Sequence, residues 1–330
     1  MESKVEAVGI LGTGRCMPEK ILTNNDLEKM VDTSDEWITK RTGISERRII
    51  DEKTPSRELG IIAAQKALQN AGLSAEDLDL IIVTTATPDY LTPSTSCMIQ
   101  NGINAKKAAA FDMNAACSGF IYGLTVAQQF IMNGTYKYIL IVSCEQMSRV
   151  TDWKDRATCV LFGDGTGAAV LGPVEKGNGI IATNIGADGS VGRSITIPCC
   201  YSNDEDREKR VNDKINVINM DGSEVFKFAV KVMDSATRKV LDYAGVSIDD
   251  VALIIPHQAN IRIIDGAAKR LDVSKDKIFV NVDRFGNISS ASVPVALDEA
   301  VESGRIKKGD YVVLTGFGGG LTWASALIKW

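Results

Sequence analysis

Four groups spread along this 330-residue chain could act together on a thioester: the thiol of Cys117, the imidazole of His257, the carboxamide of Asn287 and the backbone of the run Gly316-Phe-Gly-Gly-Gly320. A thiolate can form an acyl-enzyme, and an imidazole or a carboxamide can donate hydrogen bonds to a developing enolate. Consecutive glycines let backbone N–H groups approach an oxyanion closely. Cys117 stands in Asn114-Ala-Ala-Cys117-Ser-Gly-Phe120, between residues 107–113, which read as a small, apolar, buried strand, and residues 121–132, where Leu124, Ala127, Gln128 and Ile131 recur at helical spacing. A thiol at such a strand-to-helix turn sits near unpaired N–H groups and the positive end of a helix dipole, which lowers its expected pKa. Its small neighbours leave room for a substrate. The ordinary alternative is a small buried core residue.

His257 is the only histidine. A lone histidine is more often structural than catalytic, but this one leaves the apolar run Leu253-Ile-Ile-Pro256 and precedes Gln258-Ala-Asn260, which opens an amphipathic helix ending near Leu271. Asn287 lies in Phe285-Gly-Asn-Ile-Ser-Ser-Ala-Ser292, a second small-residue turn into a helix.

The elements that must position these groups alternate between strand and helix. Residues 5–12 read as a strand ending in a glycine-rich turn, and Thr23-Asn-Asn-Asp26 caps a short helix reaching Met30. Pro55 opens a helix that runs to about Asn70 and stops near Gly72. Residues 78–85 and 138–144 are nearly continuous apolar strands, as in a sheet covered on both faces. Phe162-Gly-Asp-Gly-Thr-Gly-Ala-Ala-Val170 is a turn entering a strand; it lacks GxGxxG spacing and a following helix, which excludes a dinucleotide fingerprint. Residues 199–214 are polar and charged and read as an exposed loop.

An internal repeat organises these elements. Ala71-Gly-Leu-Ser-Ala-Glu-Asp-Leu-Asp-Leu-Ile-Ile82 resembles Ala244-Gly-Val-Ser-Ile-Asp-Asp-Val-Ala-Leu-Ile-Ile255, so that Gly72 and Gly245 lie 173 residues apart, as do Tyr138 and Tyr311. Helix ends at Gly134 and Gly304 lie 170 apart, and stepping back 17 residues along both helices brings Cys117 opposite Asn287. His257 falls opposite Thr84. The expected organisation is two duplicated α/β halves, residues 1–172 and 173–330, whose strand-end turns meet at one crevice.

Composition bounds the function classes. A hydrophobic content of 45% and a charged content of 24% are those of an ordinary globular protein. A net charge of −5 and a pI near 5.2 give no electrostatic case for nucleic acid. No apolar run approaches the ~20 residues of a membrane helix. The start Met1-Glu-Ser-Lys-Val lacks a signal-peptide pattern. The seven cysteines show no CxxC spacing, which argues against a disulfide framework or a zinc site and fits a reducing cytoplasm.

The chain resembles the β-ketoacyl-acyl-carrier-protein synthase III family, the initiating condensing enzymes of type II fatty acid synthesis, over nearly its whole length. The motifs that carry the resemblance are Thr33-Ser-Asp-Glu-Trp-Ile-Thr-Lys-Arg-Thr-Gly-Ile44, Asn114-Ala-Ala-Cys-Ser-Gly119, Phe162-Gly-Asp-Gly165, Pro256-His-Gln-Ala-Asn260, Gly286-Asn287 and Gly316-Phe-Gly-Gly-Gly320. It implies a thiolase-like fold: two α/β halves in an α-β-α-β-α sandwich, assembled as a homodimer. It also implies the triad Cys117, His257 and Asn287 and an oxyanion hole from the N–H groups of Cys117 and Gly319. The implied substrates are an acyl-CoA and malonyl-acyl-carrier protein, with no metal or other cofactor. The implied CoA path comprises Trp37 and Arg156 about the adenine, Arg41 at phosphate, Gly222, Phe226 and Asn260 along the pantetheine, and Thr33 as a further CoA contact. Lys227, Arg262, Lys269 and Arg270 would meet the acidic carrier protein. In many relatives an aromatic residue before Pro93 plugs the partner's primer pocket; here the matching position is Thr92, which implies room for primers longer or more branched than acetyl. A single histidine departs from the Cys-His-His pattern of elongating enzymes, and no cysteine follows Cys200 to serve a thiolase. The alternative that keeps this triad is a related acyl-CoA acyltransferase or a polyketide condensing enzyme.

Overall fold

The computed structural model describes residues 5–199 and 214–330. The polar segment 199–214 therefore lies outside the described residues except at its two ends.

The first half builds a sheet of order β1-β7-β6-β4-β5 from β1 (Val8–Cys16), β4 (Leu80–Thr84), β5 (Ala109–Met113), β6 (Ile139–Gln146) and β7 (Asp164–Pro173). The second builds β11-β12-β13-β8 from β8 (Gly179–Ala187), β11 (Val251–Pro256), β12 (Tyr311–Gly318) and β13 (Thr322–Lys329). In each sheet the repeat-related strands pair in parallel, β4 with β6 and β11 with β12, and the next strand returns antiparallel. Two small two-stranded antiparallel sheets, β2 (Ile21–Thr23) with β3 (Glu46–Arg48) and β9 (Ile195–Thr196) with β10 (Asn219–Met220), lie outside these sheets.

The helices are α1 (Asn24–Leu27), α2 (Asp35–Thr42), α3 (Ser56–Ala71), α4 (Thr95–Gly102), α5 (Gly119–Met132), α6 (Arg156–Cys159), α7 (Gly222–Ala244), α8 (Ile261–Leu271), α9 (Val282–Phe285) and α10 (Ser292–Glu302). They sort into layers by what they touch. α3 packs on β1, β6, β7 and α4, whereas α7 packs on β8, β12, β13 and α8. α5 and α10 touch strands of both sheets and form the middle layer. Its apolar core includes Phe120, Ile121, Leu124, Val293 and Leu297 between Ile82 and Ile141 on one side and Ile255 and Leu314 on the other. Strands β4 and β6 are buried throughout, as expected of a sheet covered on both faces.

The repeat is visible in the caps. α3 ends at Ala71 with Gly72 in the left-handed conformation, φ +67°, and α7 ends at Ala244 with Gly245 at φ +65°. Each is followed by a 3₁₀ turn and a buried strand.

Three sequence expectations are corrected. β5 is not buried: it is the edge strand of its sheet, and Phe111 is 37% exposed. β1 does not stop at Gly12 but runs on through Gly14, with α3 lying directly on both glycines. Cys117 is not the counterpart of Asn287. Ala116 and Ser289, 173 residues apart, are both non-glycine residues at positive φ, +47° and +50°. Ala116 N donates to Asn114 Oδ1 just as Ser289 N donates to Asn287 Oδ1, each at 2.9 Å. Asn114 thus corresponds to Asn287, and Cys117 to Ser290. The misregister arises because α5 has 14 residues and α10 only 11, so counting back from the helix ends slips by three.

Candidate active site

Cys117 is the middle residue of a 3₁₀ turn, Ala116–Ser118, that leads into α5. The turn's bonds run from Ser118 N to Ala115 O and from Gly119 N to Ala116 O, and so leave the Cys117 N–H outside its own bonding. The end of β12 presses against that N–H. A Cβ built on Gly318 would stand 2.5 Å from Cys117 N and 3.2 Å from its Cα, so only glycine admits this approach. Gly319 lies one residue farther along, also lining the cavity.

His257 follows β11, its backbone N–H held by Thr315 O at 2.8 Å. A Cβ on Gly316 would lie 3.7 Å from both the His257 Cβ and the Cys117 carbonyl oxygen, so β12 passes beside both residues. The imidazole is 1% exposed, neither ring nitrogen has a partner among the described residues, and the ring of Phe317 meets it edge-on with centroids 5.3 Å apart. Asn287 is held in a turn against the first half, where Gly163 N donates to Asn287 O and Asn287 N to Leu161 O. Its side-chain oxygen is occupied by the Ser289 N–H, which leaves the NH₂ group to face the cavity.

The thiol and imidazole rest neutral. Burial pushes the His257 imidazole down to about 3. Burial also pushes the Cys117 thiol up to about 12, and the hydroxyl of Ser289, which accepts from Sγ at 3.6 Å, opposes this only in part. The expected lowering of the thiol is therefore reversed: desolvation of a charged sulfur outweighs the start of the helix.

Cys117, His257, Asn287, Ser289, Phe317 and Gly319 line one cavity of about 730 Å³. Trp37, Arg41, Arg156, Gly222, Phe226 and Asn260 line the same cavity. The Trp37 ring carries two guanidinium groups, Arg41 at 4.7 Å and Arg156 at 4.8 Å, and its helix is capped by Ser34. Asn260 caps α8 through Arg262 N. Ile195, Ile197, Ile218 and Met220 add an apolar wall that sequence reading did not single out.

One expected CoA contact stands elsewhere, and two residues expected at other surfaces lie away from the cavity. Thr33 does not line the cavity, and its hydroxyl is buried without a partner among the described residues. Thr92 is exposed on the loop before Pro93 and does not line this chain's cavity. Arg270 reaches Asp234 at 3.6 Å, on the outer face of α8. Of the other basic residues, Lys227 and Arg262 border the cavity mouth, and Lys227 pairs with Glu224 at 2.8 Å. Ser289 and Gly318 were missed as site residues. The positive φ of Ser289 and the contact of Gly318 with Cys117 have no signature in residue type alone.

A groove of about 850 Å³ lies between β1 and α10, where Arg15 pairs with Asp298 at 2.5 Å and with Glu302 at 2.6 Å.

Comparison with known proteins adds the following. The family model for 3-oxoacyl-[acyl-carrier-protein] synthase III matches residues 111–189, and the model for the C-terminal part of the same enzymes matches residues 241–330. The β-ketoacyl-[acyl-carrier-protein] synthase III of Caldanaerobacter subterraneus subsp. tengcongensis is 55% identical over 324 residues, 98% of this chain and 98% of the relative. The crystal structure of 3-oxoacyl-[acyl-carrier-protein] synthase III from Aquifex aeolicus is 47% identical, with a TM-score of 0.92 over 98% of this chain and 100% of that one. The priming β-ketosynthase of the R1128 polyketide pathway is 34% identical, with a TM-score of 0.91 over 100% of this chain and 98% of that one.

Proposed function

Because the chain belongs to the 3-oxoacyl-[acyl-carrier-protein] synthase III family and has its thiolase-like fold, we propose that it joins an acyl-CoA primer to malonyl-acyl-carrier protein by a ping-pong decarboxylative condensation. Cys117 Sγ attacks the primer thioester while its proton passes by way of the His257 imidazole to the departing CoA sulfur. The N–H groups of Cys117 and Gly319 hold the oxyanion, and CoA leaves. Malonyl-carrier protein then loses CO₂, and the enolate oxygen takes hydrogen bonds from the His257 imidazole and the Asn287 NH₂ group. The carbanion attacks acyl-Cys117, freeing the thiol and giving a 3-oxoacyl-carrier product. As written, the reaction calls for no metal or redox cofactor.

The observation that carries this reading is a buried imidazole whose ring nitrogens have no partner among the described residues, and an amide whose oxygen is taken by Ser289 N, both lining the cavity that also holds Cys117. Incubation with acyl-CoA and malonyl-carrier protein should yield a carrier-bound product two carbons longer than the primer, with CO₂ released. Transfer of the primer without decarboxylation would favour a sister acyltransferase.

The carrier protein would dock over α7 and α8. Arg262 and Lys269 are the cations there on which recognition should turn, since Lys227 and Arg270 are already met by Glu224 and Asp234. Lys269→Glu is expected to raise KM for malonyl-carrier protein, most at low salt, and to leave self-acylation by acyl-CoA unchanged. Equal damage to both half-reactions would reject the docking role.

Two copies of the chain would pair along the exposed edge of β5, where the neighbouring loop shows Tyr90 at 52% and Leu91 at 75% exposure. Thr92 would then reach the partner's primer pocket. Each extra buried methylene of a primer stabilises binding by about 0.8 kcal/mol. Hexanoyl- and isobutyryl-CoA should therefore be accepted beside acetyl-CoA, and Thr92→Phe should narrow the choice toward acetyl. An acetyl preference unchanged by Thr92→Phe would show that this loop does not set primer size.

A further inference from the structure

Glu145, near the end of β6, is a fully buried carboxylate for which the reaction above has no use. Burial raises its pKa, and the groups that act against this are all neutral donors: Ser290, Thr87, Ala86 and Ser289. They come from both halves of the molecule. Thr87 Oγ1 donates at 2.7 Å, Ala86 N at 3.1 Å and Thr85 Oγ1 at 3.3 Å, all to Oε2, from the loop after β4. Ser290 donates to Oε1 through its hydroxyl at 2.6 Å and its backbone N–H at 3.3 Å. The same Ser290 hydroxyl lies 3.1 Å from Thr84 O.

Ser290 follows the strained residue of the site. Ser289 holds φ +50°, donates its N–H to Asn287 Oδ1 and accepts from Cys117 Sγ. A non-glycine residue in that region persists only where its surroundings over-determine it. The surroundings here are the double hold of Glu145 on Ser290. We propose that Glu145 is a positioning residue: by pinning Ser290 it keeps the 287–289 turn in the conformation that aims the Asn287 NH₂ group at the substrate. The inference rests on the reading that Asn287 serves decarboxylation.

A carboxylate is required, not merely a polar group. Oε1 accepts from Ser290 N and from Ala86 N at 3.3 Å, and Oε2 from Ala86 N at 3.1 Å. Hydroxyls can turn round to accept, but backbone N–H groups cannot. Whichever way a glutamine amide is placed, its NH₂ group faces a backbone N–H.

The test uses Glu145→Gln and Ser290→Ala, with Thr87→Val as a control that removes a donor to the same carboxylate from the side away from Asn287. Three quantities are measured: acylation of Cys117 by mass, CO₂ release from malonyl-carrier protein, and melting temperature. A displacement of about 1 Å in a catalytic group costs up to ~10²-fold, so decarboxylation should fall at least about tenfold in Glu145→Gln and in Ser290→Ala while acylation changes by less than about threefold. The double variant should be no worse than the poorer single one, because both remove the same pin. Thr87→Val should lower the melting temperature without splitting the half-reactions. Wild-type decarboxylation in Glu145→Gln, or a parallel loss of both half-reactions that follows melting temperature as in Thr87→Val, overturns the proposal. Asn287→Ala, run alongside, separates the two levels. If it decarboxylates normally, the reading of the site is wrong; if it fails while Glu145→Gln is normal, only the positioning role is lost.

Discussion

Cys117→Ala should abolish uptake of an acyl group from acyl-CoA: the intact chain gains the mass of one acyl group in the parent protein and nothing in the variant. Loss of a covalent nucleophile that acts as part of a unit costs on the order of 10⁴ to 10⁶ in rate, so condensation should fall to background. Fold and stability should survive, because the site accepts a small side chain at this turn and Gly318 still packs against the backbone of residue 117. Acylation that persists in Cys117→Ala sinks the assignment, since Cys16, Cys97, Cys144, Cys159 and Cys199 are the other described thiols and none of them lines the cavity. The neutral resting state adds a second readout. With the thiol pushed up to about 12, the thiolate fraction grows with pH throughout the accessible range. Alkylation of the resting enzyme by iodoacetamide should be slow at neutral pH and climb about tenfold per unit toward pH ~9 without a plateau. A plateau below pH ~8 would show that the helix start, and not burial, governs the sulfur.

Asn287→Ala should acylate at close to the parent rate and fail to condense. In the proposed mechanism the amide NH₂ is one of two donors to the enolate oxygen, and loss of one such donor lowers the rate by about 10² to 10³, or roughly 2.7–4 kcal/mol. His257→Ala should show the same loss in decarboxylation and a further slowing of acylation, because the imidazole is also the neutral base nearest the reaction. Unimpaired malonyl decarboxylation in Asn287→Ala would reject the division of labour. The pH dependence has a definite sign. A base whose pKa is depressed stays neutral until the pH falls through its lowered value, here about 3. Condensation should therefore show no falling limb near pH ~6.5, where an unperturbed histidine would protonate. Such a limb would mean that solvent reaches the imidazole.

Much of this protein was legible in residue order because local rules and the duplication agree. Pro55 and Gly72 bracket α3, Asn260 caps α8, and the apolar runs of β4 and β6 announce strands covered on both faces. The periodicities of strand and helix depend only on neighbours along the chain. The places of Cys117 after β5 and His257 after β11 also followed, because each leaves an apolar run, whereas Asn287 follows the short helix α9 and not a strand. The tertiary structure alone decided what those groups are at rest. A helix start predicts an acidic thiol, but the middle layer excludes water from it, and desolvation is a property of the packed surroundings that no neighbour in sequence records. The same holds for the true repeat register, hidden because α10 lost three residues relative to α5 and recovered only through the paired positive φ of Ala116 and Ser289. It holds also for Glu145, which reads as one charge at the end of an apolar strand and becomes a buried clasp only when residues 145 apart in the chain, Glu145 and Ser290, meet across the two halves. Long-range contact and loss of water are set by the folded whole, and so they stay outside what residue order by itself can determine.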